Sequence, residues 1–255
     1  MKLIQAFIIA ISMYSKIPMP RVEWTEESMR YAFCFFPVVG GIIGILQVLA
    51  GGLLLTKGNS ILFFSCIMTL IPIWITGGIH LDGFVDTVDA ISSYGEKEKR
   101  LEILKDPHIG AFAAIGLGSL LILQLGCWSL VEKPMLPVIG FGYVLSRTLS
   151  ALSVMLFPPA KKEGLARTFR DNADAGKKRT IGVLVLWTIA GVAGMWNTGG
   201  SAGILAAATA FAIWGYYKWF SQRTFGGVSG DQAGYFLVLC ETGILIGTIL
   251  GFWIV

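Results

Sequence analysis

Charge is scarce in this 255-residue chain: 14% of residues are charged and 55% are hydrophobic, where a soluble domain carries about a quarter charged. That shortage excludes an ordinary water-soluble globular domain. Cysteine is scarce as well. Cys34, Cys66, Cys127 and Cys240 all fall inside apolar runs and none pair as C-x-x-C. A disulfide framework or zinc ribbon is therefore excluded, and the four read as small apolar packing residues. Residues 1–14 carry one basic residue and an apolar stretch but no small-x-small cleavage site before Ser15-Lys16-Ile17-Pro18. They are expected to remain as a helix lying in the inner-leaflet interface, too short to span. No internal repeat or low-complexity tract is evident. The net charge of +4 sits mainly in loops, where orientation and anionic lipid account for it without nucleic acid.

What the chain has is length of apolar sequence. Seven runs approach the roughly 20 residues needed to cross a bilayer: 31–55, 60–78, 109–130, 136–157, 181–196, 201–220 and 234–254. The expected fold is all-α, a polytopic transmembrane helical bundle of about seven spans in a single integral membrane domain, 1–255. Lys and Arg set its orientation. The segment 158–180 holds Lys161, Lys162, Arg167, Arg170, Lys177, Lys178 and Arg179, and the loop 79–108 holds Lys97, Lys99, Arg100 and Lys105. Both are expected on the cytoplasmic side of the membrane. The connections near Lys57, Lys133 and Asn197 are then outside, the N-terminus inside and the C-terminus outside.

Against that background the stretch 77–110 stands apart, with seven acidic side chains. On a helix over 80–91, Asp82, Asp86 and Asp89 project at about 0°, 40° and −20° around the axis. Like charges four residues apart oppose helix formation, and a partly dehydrated interface strengthens the repulsion. A divalent cation removes the conflict. Mg²⁺ in particular is held by one or two carboxylates together with substrate phosphates. This cytoplasmic acidic helix offers Phe84, Val85, Val88 and Ile91 on its other face for packing. His80 precedes it and reads equally as a satisfied polar residue or a catalytic group. Residues 96–105 read as an amphipathic surface helix with Glu96–Arg100 support. At Lys105-Asp106-Pro107 the proline turns the chain out of helix. Lys105 there is a candidate phosphate ligand, and Asp106 a candidate for orienting a hydroxyl or completing a metal shell. The alternative is a plain loop whose lysine closes the helix dipole.

A second glycine-rich element, Gly226-Gly227-Val228-Ser229-Gly230-Asp231, precedes the last run. Glycine admits close backbone approach, and the free N–H groups of the following helix receive phosphate. Asp231 reads either as part of that site or as the N-cap. Two charges lie within runs, Arg147 and Glu241, each roughly 15 Å from the inner end at 1.5 Å per residue. Such residues mark function by default, and the two are expected to face each other or a shared polar cavity, as an ion pair or as substrate contacts.

These residues together resemble cobalamin synthase, the adenosylcobinamide-GDP ribazoletransferase family, over nearly the full length. The resemblance rests on Ile17-Pro18-Met19-Pro20, Phe36-Pro37-x-x-Gly40, Gly78-x-His80-x-Asp82-Gly83-x-x-Asp86-x-x-Asp89, Lys105-Asp106-x-x-x-Gly110, and Gly226-Gly227-x-Ser229-Gly230-Asp231. The chain departs at Ala90 and Ala113, where glycine is frequent in the family, and at Ser229, where threonine is usual. These changes touch fine positioning and remove no presumed ligand. The resemblance implies a membrane-bound, Mg²⁺-dependent enzyme. It would join adenosylcobinamide-GDP to α-ribazole or its 5′-phosphate and release GMP. It further implies Asp82, Asp86 and Asp89 as metal ligands, Lys105 and Gly226–Asp231 as phosphate ligands, and His80 or Asp106 as proton acceptor. Cobalt arrives inside the corrinoid, and a homo-oligomer or an association with other cobalamin-assembly enzymes is compatible. A CDP-alcohol phosphotransferase would need Ala-Arg after the Asp-Gly element, where this chain has Phe84-Val85. An aspartate-rich prenyltransferase would need a second acidic loop. A cation-coupled transporter would use Arg147, Glu241 and the aspartates as an ion path, yet no two spans carry matched Gly/Pro breaks.

Overall fold

The computed structural model describes residues 2–29, 31–106, 108–160 and 176–254. Basic residues Lys161, Lys162, Arg167 and Arg170, which carry part of the orientation argument, lie outside the described residues. The apolar runs all become helix, and the protein is an all-α membrane bundle. In order they are α1 (Lys2–Tyr14), α2 (Glu26–Met29), α3 (Ala32–Thr56), α4 (Ile61–Thr76), α5 (Ile79–Ser92), α6 (Lys97–Ile103), α7 (Ala111–Trp128), α8 (Leu136–Leu156), α9 (Lys177–Phe225) and α10 (Gly230–Ile254). Among the described residues five helices are long and apolar enough to cross a membrane, or six if the bent pair α4–α5 is one span.

The runs 181–196 and 201–220, expected as two spans, are two helical arms that meet at Gly200, together the 49 residues of α9. A straight helix of that length would reach about 74 Å, more than twice the hydrocarbon thickness of about 30 Å. The chain does not run straight. Gly200 leaves helical geometry at φ 54°, ψ −131°, and Gly203 lies against the Met195 carbonyl, eight residues back. Only a reversal brings those two together, so α9 consists of two arms. The first packs on α8, with Gly191 at Leu145 and Gly199 at Val138. The second packs on α10, with Ala202 at Gly251 and Thr209 at Gly247.

Packing between helices rests on small residues, as it must where lipid supplies no hydrophobic drive. Gly40 and Gly44 of α3 abut the backbone carbonyls of Tyr143 and Gly140 on α8. Helix α8 is the central one, with its residues from Val138 to Met155 almost all buried. Replacing Gly40 with Ala sets a methyl against backbone that has no rotamer to change, at a cost of about 1–3 kcal/mol. The expected result is a melting temperature in detergent lower by several degrees. Gly118→Ala, where nothing lies within 4 Å, should leave it unchanged.

Helix α1 does more than lie on a lipid surface. It buries Ala6, Ile9, Ala10 and Ile11 and packs Phe7 edge-on to Phe35 of α3 at 5.7 Å. Past its end, the Lys16 N–H donates to the Ile75 carbonyl at 2.8 Å, and the Lys16 side chain lies across Gly77. That contact fixes the bend between α4 and α5.

Candidate active site

The bend is a product of two glycines. Gly77 caps α4 in the left-handed region at φ 65°, and Gly78 opens α5 at φ 82°, conformations that cost an L side chain about 1–2 kcal/mol. Two consecutive such residues turn the chain by 96°, so α5 lies across the end of the bundle instead of continuing α4. The face expected to pack does so. Phe84 stacks on Tyr235 at 5.7 Å, and Phe84, Val85, Val88 and Ile91 join a cluster with Phe220, Phe225 and Leu120.

Helix α5 crosses α10 at glycines from both sides. A Cβ on Gly83 would stand 2.5 Å from the Asp231 carbonyl oxygen, and one on Gly234 would stand 2.8 Å from the His80 carbonyl oxygen. Glycine inside a helix lowers its stability by about 1 kcal/mol. Here it lets two backbones touch, and the contact brings the first turn of α10 beside the acidic ridge. Asp231 thereby joins Asp82, Asp86 and Asp89. The Asp86 carboxyl is pushed up to about 6, first by burial, then by the charges of Asp82, Asp231 and Asp89. The N-cap role open to Asp231 in the sequence is filled by Ser229, whose Oγ accepts from the Gln232 N–H at 3.4 Å. The loop before it is tied down as well. The Val228 N–H donates to the Pro158 carbonyl at 2.8 Å, and the Ala160 N–H donates to the Val228 carbonyl at 2.9 Å. Gly226 turns in the left-handed region at φ 79° with the Lys97 ammonium against it. In the sequence that lysine reads as ordinary surface charge.

His80 is buried in the bundle and lines one cavity with Arg147 and Glu241 and another with Asp82 and Asp231. It is 9% exposed, close to the rings of Tyr14 and Phe36 at 6.3 and 5.9 Å, and its Nε2 has no hydrogen-bond partner among the described residues. Burial, and secondarily the Arg147 guanidinium, hold its pKa well below the ordinary value, so it is neutral. Arg147 and Glu241 do face each other, as expected, in a direct ion pair. Arg147 also donates to the Ser146 Oγ at 3.0 Å and lies over the Tyr143 ring at 5.2 Å. The pair shares with His80 a cavity of about 40 Å³, room for a few waters.

Lys105 and Asp106 are exposed, and the Asp106 carboxylate takes the His108 N–H at 3.0 Å and the His108 Nδ1 at 2.7 Å. That local turn holds the Asp106 pKa below its ordinary value. The following Gly110 lies against the Asp89 carboxylate, so the loop borders the ridge without its acid pointing into it. On α6 the ion pair is Lys99–Glu102 at 3.0 Å, while Glu96, expected to support Arg100 through its side chain, serves as the helix N-cap residue.

An ion fits the chemistry of this set, though not as a closed cage. All four side chains are hard oxygen donors, and Asp86, raised first by burial and then by its three acidic neighbours, is a carboxylate whose charged form a cation would favour. Among the described residues no three ligating side chains stand close enough to enclose one ion.

A family model described as Cobalamin-5-phosphate synthase matches residues 6–249. The chain is 45% identical over 244 residues to an adenosylcobinamide-GDP ribazoletransferase of Lachnoclostridium phytofermentans, covering 94% of this chain and 92% of that protein. It is 31% identical over 253 residues to the protein of the same name in Carboxydothermus hydrogenoformans, covering 96% and 95%. With that of Clostridium perfringens strain SM101 it shares 30% over 246 residues, covering 95% and 96%. No solved structure shows a significant match. With its acidic ridge, glycine crossing and buried histidine all inside the matched region, the chain belongs to the cobalamin-5-phosphate synthase family.

Proposed function

We propose that this protein joins adenosylcobinamide-GDP to α-ribazole or its 5′-phosphate at the cytoplasmic face of a bacterial inner membrane. The observation that carries the reading is the meeting of Asp82, Asp86, Asp89 and Asp231 at one end of an apolar bundle, beside His80, in a member of this family. Orientation follows the described cations. Lys97, Lys99, Arg100, Lys105, Lys177, Lys178 and Arg179 belong to segments at the end that holds α5, against Lys57 and Lys133 in the opposite connections. The basic end faces the cytoplasm.

In the reaction a ribose hydroxyl oxygen of the ribazole attacks the phosphorus on the cobinamide side of the diphosphate. A new P–O bond forms, the bond from that phosphorus to the bridging oxygen breaks, and GMP leaves with the electron pair. Such transfers need positioning and charge neutralisation more than covalent help from the protein. His80 is the better acceptor of the hydroxyl proton, because its Nε2 is unpartnered among the described residues while Asp106 is engaged with His108. The N–H groups opening α10 and the cations Lys97 and Lys105 hold phosphate oxygens. Asp82, Asp86 and Asp89, with Asp231 beside them, would hold Mg²⁺, which when bound neutralises diphosphate charge and stabilises the leaving phosphate. The Arg147–Glu241 pair borders too small a space for substrate and acts instead by fixing α8 and α10 around His80.

The test is direct. Detergent-purified protein given adenosylcobinamide-GDP, α-ribazole and Mg²⁺ should release one GMP per corrinoid product. A chelator should stop it and excess Mg²⁺ restore it. Absence of GMP, with solute movement across vesicles instead, would replace the transferase by a transporter. Release indifferent to chelator would remove the metal from the aspartates.

A further inference from the structure

A second cavity, of about 220 Å³, is lined by residues of α1, α3, α5, α8 and α10, and shares His80 with the cavity beside the Arg147–Glu241 pair. Part of its lining is apolar and largely aromatic: Tyr14 from the end of α1, Phe33 and Phe36 from α3, Val154 from α8 and Leu237 from α10. Tyr14 and Phe36 are packed ring on ring at 4.1 Å. Phe33, Phe36 and Leu237 are almost wholly buried, so the wall is preformed. The lining also holds Ser150, His80, whose ring lies 6.3 and 5.9 Å from those of Tyr14 and Phe36, and the acids Asp82 and Asp231, the last three already assigned to the reacting centre. The cavity is therefore a continuation of the active site into the bundle, with aromatic rings and two carboxylates both in its lining.

Resting on the transferase reading above, we propose that this cavity receives the aromatic base of the ribazole substrate, leaving its ribose hydroxyls at Asp82, Asp231 and His80. The choice among the substrate parts is one of size and polarity. The corrin macrocycle with its amide side chains is too large for 220 Å³. Guanine would bring a carbonyl, a ring N–H and an exocyclic amine against Phe33, Val154 and Leu237, where unpaired polar groups are costly to bury. A dimethylbenzimidazole has two fused apolar rings, two methyl groups and one ring nitrogen free to reach a polar group of the lining. The placement also draws α1 into the site. Because Tyr14 lines the pocket, an N-terminal helix that reads from sequence as lying in the lipid interface supplies part of a substrate site.

Steady-state kinetics on the purified enzyme separate the outcomes. Val154→Phe, which takes up space in the cavity, should raise KM for α-ribazole at least tenfold and leave KM for adenosylcobinamide-GDP within about twofold. A rise confined to the corrinoid substrate would assign the cavity to that molecule, and no change in either would show it unused. Each of these sinks the proposal while leaving the transferase function standing. A wild-type enzyme that makes no product would sink the function itself. Should Val154→Phe fail to fold, wild-type enzyme decides the matter with ribazole analogues. Removing both methyl groups should raise KM about tenfold, the worth of two buried methyl groups, and a hypoxanthine base should raise it further. Equal KM values across that series would overturn the assignment.

Discussion

Asp82→Asn is expected to leave a folded protein that releases GMP at less than about a hundredth of the wild-type rate, the scale of losing one preorganised electrostatic group. The reasoning begins with repulsion. Asp82 is one of three carboxylates that, together with burial, push the Asp86 carboxyl up to about 6. Taking its charge away relieves a conflict within α5 and across to α10. The melting temperature should therefore hold or rise by a few degrees while activity collapses. That opposite movement is the signature of a group kept for chemistry and not for stability. Asp82 is the informative choice because it faces both the ridge and the cavity shared with His80 and Asp231. Equal product from wild type and variant would remove the carboxylates from the reaction. A loss of activity tracking a loss of melting temperature would make them structural.

Arg147→Met is expected to act in the reverse sense, through the scaffold. Arg147 is 1% exposed and Glu241 13% exposed at the side chain, so each charge is tolerable only because of the other. Removing one partner strands a buried charge, at about 3–5 kcal/mol. For a protein of this size that corresponds to a fall in melting temperature on the order of 10 °C. The guanidinium-bearing side chain also presses against Gly40, so its loss loosens the α3–α8 crossing as well. Arg147→Met combined with Glu241→Met removes both charges and should recover most of the lost stability, the coupling a double-mutant cycle reads out. The recovered protein should still turn over poorly, because the pair borders the same small cavity as His80. Singles that melt with wild type would show that the pair carries no structural load. A double variant with full activity would detach it from the site.

Much of this is legible in the residues themselves, for identifiable reasons. The three aspartates sit on one arc because helical geometry is local, and their spacing states it. Arg147 and Glu241 can be matched from sequence because an isolated charge deep in lipid has few solutions. The break at Gly77-Gly78 is visible as a place to unwind, but not its 96° angle, which the Lys16–Ile75 contact helps to set. Two apolar runs that read as separate spans are two helical arms reversing at Gly200, beside the connection expected near Asn197. Glycine in the middle of helices, at Gly83 and Gly234, is the available signal for the α5–α10 crossing, yet a glycine announces a close approach without naming its partner. Asp231 therefore reads as a cap or a phosphate contact, and Tyr14 and Phe36 carry no signal of a substrate pocket.

By itself the sequence determined the kind of molecule: apolar runs of bilayer length, basic loops, and a ridge of acids on one helical arc. These follow from composition, period and Coulomb's law, each acting within a few turns of chain. Tertiary structure alone decided what the ridge meets. Residues 14, 36, 83 and 231 come together only when α1, α3 and α10 dock around a bent α5, and a contact between distant segments depends on the fit of whole surfaces. No single stretch of chain encodes that fit.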